Sequence, residues 1–374
     1  MTRAYLDHAS TSPLRPEARA ALIERLDEPA ADPGRIHEEA LIARQALEVA
    51  REQVATLLGA RSREVVFTSG GTEAINAAVW GASERGTHQV VPAVEHSAVR
   101  LAAEQSGDVT LVGTDREGRV DPDEVIAAVR PDTALVHVQW GNHEVGTTQP
   151  VAAVVAACQE QGVLVHVDAA QAVGHEPIAF RDLGADLLSV SGHKLGAPAG
   201  TGALLVRRGL RLRPLLVGGD QERARRAGLE DVPALAGFGA AASALATPGR
   251  LEDEAALQRR LTDRVLHALD DLDGVVAYGD PIGRLPHLVC LGVLGIEPQA
   301  VLLGLDRAGI AAHSGSACSS ESLEPSPVLE AMGVDAHRSL RISVGWSSTD
   351  ADVDRLLGAL PEVIADLRRL GTSS

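Results

Sequence analysis

Glu64-Val65-Val66-Phe67-Thr68-Ser69-Gly70-Gly71-Thr72-Glu73 passes from an apolar run into a glycine turn and then into a helix start. A short apolar run closed by glycines reads as a buried strand, and the helix after it is expected to continue through Ala74 to about Trp80. The same alternation recurs downstream. Asp121-Pro122-Asp123-Glu124 has the look of a helix N-cap with proline in the first turn. Residues 133–138 read as a strand, 151–159 as a helix, 163–168 as a strand, and further strands are expected near 187–190 and 202–206. Helix and strand patterns that alternate from about residue 45 to residue 206 predict an α/β fold with a mostly parallel sheet covered by helices.

After Gly218-Gly219 the texture changes to Ala- and Leu-rich helices over about 232–272, and then to a mixed C-terminal third. That third, together with the first dozen residues, is expected to form a smaller α+β domain. The expected boundaries are therefore 13–250 for a large domain and 251–374, with 1–12, for a small one. No internal repeat or low-complexity linker separates them.

Bulk properties narrow the function. A chain of 374 residues can bury a full core, and with aromatics at only 2% that core must be aliphatic. A formal charge of −17 argues against direct nucleic-acid binding, which needs clustered Lys and Arg. Three cysteines, Cys158, Cys290 and Cys318, are too few and too scattered for a disulfide framework or a paired zinc site, so no metal is expected. With no signal-like segment and no membrane-length apolar run, a reducing cytoplasm is the expected location.

Among 34 basic side chains Lys194 is the only lysine. Unlike arginine, lysine can lose its proton and attack a carbonyl. Asp168 ends one expected strand and Lys194 follows the next, so both can face the crevice at strand C-termini where open α/β sheets bind ligands. Taken alone, Asp168 is a cap or turn residue. As a pair, the two match what pyridoxal phosphate needs: an amine for the Schiff base and a carboxylate that keeps the pyridine nitrogen protonated. Gly70-Gly71-Thr72 at a helix start offers backbone N–H groups and a hydroxyl to a phosphate, with Ser191 and His193 as further donors. His96 reads either as a polar loop residue or as a group over the cofactor ring that carries protons. Cys318 sits in Ser314-Gly315-Ser316-Ala317-Cys318-Ser319-Ser320, a run of small polar neighbours that favours an exposed, reactive thiol over an inert one. Arg341, within an apolar run, suits either a substrate carboxylate or an internal salt bridge.

These segments, with Tyr5-Leu6-Asp7-His8-Ala9, Glu95-His96, Asn142-His143-Glu144-Val145-Gly146 and Asp168-Ala169-Ala170-Gln171, occur in an order that resembles the class V aminotransferase superfamily, and within it the cysteine desulfurases that serve iron–sulfur assembly. The resemblance implies a fold-type I homodimer with L-cysteine as substrate. It assigns Lys194 the Schiff base, Asp168 the pyridine nitrogen, and Gln171 with Asn142 or His143 the ring oxygen. His96 takes the ring face and proton transfer, and Gly71, Thr72, Ser191 and His193 the phosphate. Arg341 takes the substrate carboxylate, and Cys318 the sulfur, as a persulfide handed on to a scaffold or sulfurtransferase protein. Three positions depart from the family: Asn142-His143 replaces two asparagines, Asp32-Pro33 replaces Asn-Pro, and Arg226-Ala227-Gly228-Leu229 ends without the usual threonine. The rival readings are another enzyme of the superfamily, such as an aminotransferase or selenocysteine lyase, and a non-catalytic homologue that acts as a binding partner.

Overall fold

The computed structural model describes residues 3–315 and 325–371. A short strand, β1 (Ala4–Tyr5), is followed by seven strands that form one sheet: β2 (Val65–Thr68), β3 (His88–Pro92), β4 (Asp108–Val112), β5 (Thr133–Gln139), β6 (Val165–Asp168), β7 (Leu187–Ser191) and β8 (Gly202–Val206). Their order is β2-β8-β7-β6-β5-β3-β4. Neighbours from β4 through β7 pair in parallel, whereas β8 is antiparallel to both β7 and β2. The chain from Gly192 to Thr201 turns straight back, with no room for a crossover helix, so β8 must run opposite to β7. It follows that β2, β3, β5, β6 and β7 all point their C-terminal ends at one edge.

Every residue of β2, β3, β5, β6, β7 and β8 is buried, which is why these segments read as continuous apolar runs rather than as alternating ones. The expected strand at Glu64 begins one residue later, because Ser62–Glu64 forms a 3-10 turn in which the Glu64 carboxylate accepts from Arg61 N. The helical stretch expected over 232–272 is broken into Val232–Leu245, Arg250–His267 and the turn Ala268–Asp271. Pro248 and Gly249 make the break: proline cannot donate to the helix, and Gly249 adopts φ 81°, a conformation costly for any other residue.

A second, antiparallel sheet has the order β12-β10-β9, from β9 (Val275–Tyr278), β10 (Leu288–Val293) and β12 (Ser339–Ser343). Strand β11 (Ile310–Ala311) pairs in parallel with β1. Each sheet has its own apolar cluster, the first containing Val54, Phe67, Val167, Leu188 and Phe238, the second Leu261, Leu291, Leu340 and Leu356. Ala4 and Leu6 belong to the second cluster and Ala9 to the first, so the chain start ties the two together. Among the described residues no helix is long and apolar enough to cross a membrane.

A buried ion pair fixes the segment beside β2. Arg51, on the helix Glu38–Leu57, bonds both oxygens of Glu222 at 2.6 and 2.7 Å, and Glu222 also accepts from Phe67 N at 2.8 Å. Both side chains are almost fully buried, and Glu222, Arg223 and Ala224 have φ of 48°, 59° and 59°, a strained run for residues other than glycine. Glu222→Gln leaves the buried Arg51 charge with only the half-exposed Glu48 carboxylate, 3.1 Å from its Nε, so chemical denaturation is expected to show a loss of about 3 kcal/mol.

Candidate active site

The strand ends open into a cavity of about 610 Å³ lined by segments that follow β2, β3, β5, β6 and β7. Gly71 and Thr72 begin the helix Gly71–Ala82 after β2, and His96 follows β3. His143 follows β5, Asp168 and Gln171 follow β6, and Ser191, His193 and Lys194 follow β7. From the second sheet Arg341, on β12, reaches the same space, as do His313 and Gly315.

Of the residues expected at the site, Asn142 does not line the cavity. Its amide donates to Val94 O at 3.1 Å, and its oxygen accepts from the backbone of Glu144 and Val145 at 2.8 and 2.9 Å. Asn142 therefore shapes the turn after β5, and its neighbour His143 faces inward. Cys318 lies outside the described residues, although Gly315, three positions before it, lines the cavity. Gly315 has φ 99°, and a side chain there would come within 3.3 Å of Arg341 Cβ, so glycine is needed at this approach.

The polar groups are held in defined states. Lys194 is half-buried and has no hydrogen bond to any described residue; burial lowers its amine to about 8 against the opposing pull of Asp168. Asp168 spends Oδ1 on Ala170 N at 3.0 Å and on the Ser189 hydroxyl at 3.2 Å. His96 caps the helix Ser97–Ser106 by accepting from Ala98 N at Nδ1, 3.1 Å, which leaves its proton on Nε2. Burial, with His143 and Lys194 nearby, lowers His96 to about 3, and burial with Lys194 and Arg341 lowers His143 to about 3. The two imidazoles meet edge to face at 4.9 Å.

Arg341 is anchored by His143 O at 2.9 Å, Asp7 at 3.0 Å and the Ser10 hydroxyl at 2.7 Å. The internal salt bridge expected as one alternative is therefore present, yet its buried Nε has no partner among the described residues. Three neighbours went unnoticed in the sequence: Ser10, His313 and Glu144. Glu144 is inside the quoted segment Asn142 to Gly146, and His313 directly precedes Ser314-Gly315, so adjacency to a motif was the available signal. The Glu144 carboxyl is pushed up to about 7 by burial, and it accepts from the Ser326 hydroxyl at 2.6 Å.

The two other departures lie outside the cavity. Asp32 bonds Gly34 N and pairs with Arg35, so its charge is locally met. Leu229 is 63% exposed, and Arg226 pairs with Glu73 beside the start of the helix Gly71–Ala82.

A ring with an anionic arm fits this cavity. A Cβ on Gly71 would lie 3.3 Å from Ser191 Cβ, and one on Gly202 would lie 2.6 Å from the Gly70 backbone, so glycines let the helix start crowd against the ends of β7 and β8. That packing presents backbone N–H groups to an anion. His143 Nδ1 and Arg341 Nε are buried polar atoms with no partner among the described residues.

The chain belongs to the aminotransferase class-V family, whose model matches residues 4–356. Within that class it is 40% identical over 377 residues to the cysteine desulfurase IscS of Methanosarcina thermophila, spanning 98% of this chain and 93% of that protein. It is 43% identical over 383 residues to a cysteine desulfurase of Gluconacetobacter diazotrophicus, spanning 99% and 95%. Among solved structures a NifS-like protein superposes with a TM-score of 0.90 at 30% identity, covering 98% of this chain and 100% of that one.

Because Lys194 is the sole lysine and titrates near 8, pyridoxal phosphate followed by borohydride is expected to attach a reduced pyridoxyl group to one lysine peptide only. Labelling should slow as pH falls below about 8, where the amine becomes protonated. Mass spectrometry of the digest checks both points.

Proposed function

We propose that this protein is a pyridoxal-phosphate-dependent cysteine desulfurase that converts L-cysteine to L-alanine and retains the sulfur as a persulfide on Cys318. The observation that carries the reading is the shared cavity: the only lysine of the chain, the carboxylate that ends the adjoining strand and an arginine from the second sheet face one space. Pyridoxal phosphate, when bound, supplies an electron sink that lets the substrate's Cβ–S bond break.

The residues divide the remaining work. Lys194 gives the amine that holds the cofactor, and its lowered affinity for protons keeps an unprotonated fraction available at neutral pH. Asp168, fixed through one oxygen, would have the other free to hold a ring nitrogen. Gly71, Thr72, Ser191 and His193 seat the phosphate at the helix start. Gln171 and His143, which line the cavity where Asn142 does not, would hold the ring oxygen. His96, its Nε2 proton directed away from its cap, would carry a proton at the ring face. Arg341, steadied by Asp7 and Ser10, offers Nε to the substrate α-carboxylate.

Sulfur transfer balances without an external oxidant. The Cys318 thiolate attacks the substrate sulfur, an S–S bond forms, the Cβ–S bond breaks, and the carbon takes the electron pair and a proton to become the alanine methyl. Sulfur is oxidised and carbon reduced by the same pair. The cofactor residues fall in the large domain, 13–250, and Arg341 and Cys318 in the small one, 251–374. We place the protein in the cytoplasm, serving iron–sulfur or thio-cofactor pathways through a scaffold or sulfurtransferase acceptor. Self-association as a homodimer is supported by exposed apolar side chains at Leu26, Ile36, Leu41, Ile42 and Leu229, which are costly to leave in water.

Incubation with L-cysteine is expected to add one sulfur to the peptide carrying Cys318, and Cys318→Ala should abolish alanine and sulfide production while the protein remains yellow with bound cofactor. Full sulfide release by that variant would remove the persulfide step and leave the cofactor assignment alone.

A further inference from the structure

Behind Gln171 lies a row of buried side chains that the proposed reaction does not use. Gln171 lines the cavity, and its amide is held at both ends: Nε2 donates to Ala9 O at 2.9 Å, and Oε1 meets His287 Nε2 at 3.1 Å. A backbone carbonyl can only accept, so the amide nitrogen must face Ala9 and the amide oxygen must face His287. His287 therefore carries its proton on Nε2. Its Nδ1 is buried without a partner among the described residues, and there a bare lone pair is tolerated better than an unpaired N–H. The ring itself is clamped. His175 stacks on it with centroids 3.6 Å and planes 10° apart, and His175 Nδ1 bonds Gln258 Oε1 at 2.8 Å. Burial holds His287 well below the usual histidine range and lowers His175 to about 4, so both rings are neutral at pH 7.

We propose that His287 is a positioning residue that locks the Gln171 amide with its nitrogen toward Ala9, so that the second Nε2–H is a fixed donor to the cofactor's ring oxygen. The inference rests on the pyridoxal-phosphate reading. A glutamine free to flip would offer its carbonyl oxygen to that ring oxygen half of the time, and two acceptors facing each other repel. The fixed donor favours the state in which the ring oxygen carries most negative charge, which is the state without a proton on the Lys194 nitrogen.

The test compares holoenzymes by visible absorbance as a function of pH. His287→Phe keeps an aromatic ring against His175 and removes the donor, whereas His287→Gln keeps a donor. His287→Phe is expected to raise the pH midpoint of the yellow band by about half a unit or more, the worth of one hydrogen bond, and His287→Gln to restore it. An unchanged midpoint in a folded, yellow His287→Phe protein, or an equal shift in both variants, overturns the proposal. If His287→Phe does not fold, nitrogen NMR of histidine-labelled native protein reads the tautomer directly: an Nε2–H, neutral His287 supports the proposal and an Nδ1–H tautomer overturns it. A native protein that stays colourless with added pyridoxal phosphate would instead sink the cofactor reading and this inference with it, so the two failures are told apart.

Discussion

An amine removed from water is driven to give up its proton, and a carboxylate beside it pulls the other way. In this chain that contest is set by two adjoining strand ends: burial lowers Lys194, Asp168 resists, and the balance lies near 8. The rest of the architecture serves to hold these two groups in one cavity. The parallel pairing of β6 with β7 brings Asp168 level with Ser189, five residues before Lys194. The glycines at 70, 71 and 202 then allow a helix start to close the same space from the side.

The α/β class and the strand-end location of the cavity were legible in the sequence, because fully buried parallel strands leave unbroken apolar runs and their C-terminal ends carry the polar exceptions. Asp168, Lys194, His96 and the Gly71-Thr72 turn could be placed on that basis. The reversed direction of β8 was not readable, since its composition is that of its parallel neighbours and only the short return after β7 decides it. Nor could the sequence tell Asn142 from His143. Adjacent polar residues in a turn face different ways, and the choice depends on which backbone groups need capping. Gln171 is a similar case: its place after β6 was apparent, but the orientation of its amide depends on Ala9 and His287, both distant in sequence.

Arg341 illustrates why the two readings of a buried arginine need not exclude each other. Five N–H groups exceed what one carboxylate can use. Asp7, Ser10 and the His143 carbonyl take some of them and fix the plane of the guanidinium, while no described residue takes Nε. A preset fork loses little freedom when it receives a further anion.

The short opening segment gains importance from this arrangement. Ala4–Tyr5 pairs with β11, Asp7 bridges to Ser343, and the Asp7 carboxylate holds the guanidinium on the same sheet. A protease that nicked the chain just after Asp7 would leave the seven-stranded sheet and the helix start at Gly71 intact. The arginine would nevertheless lose one of its three anchors, so on the proposed assignment the clipped protein would still take up its coenzyme while its grip on an amino acid's carboxylate loosened.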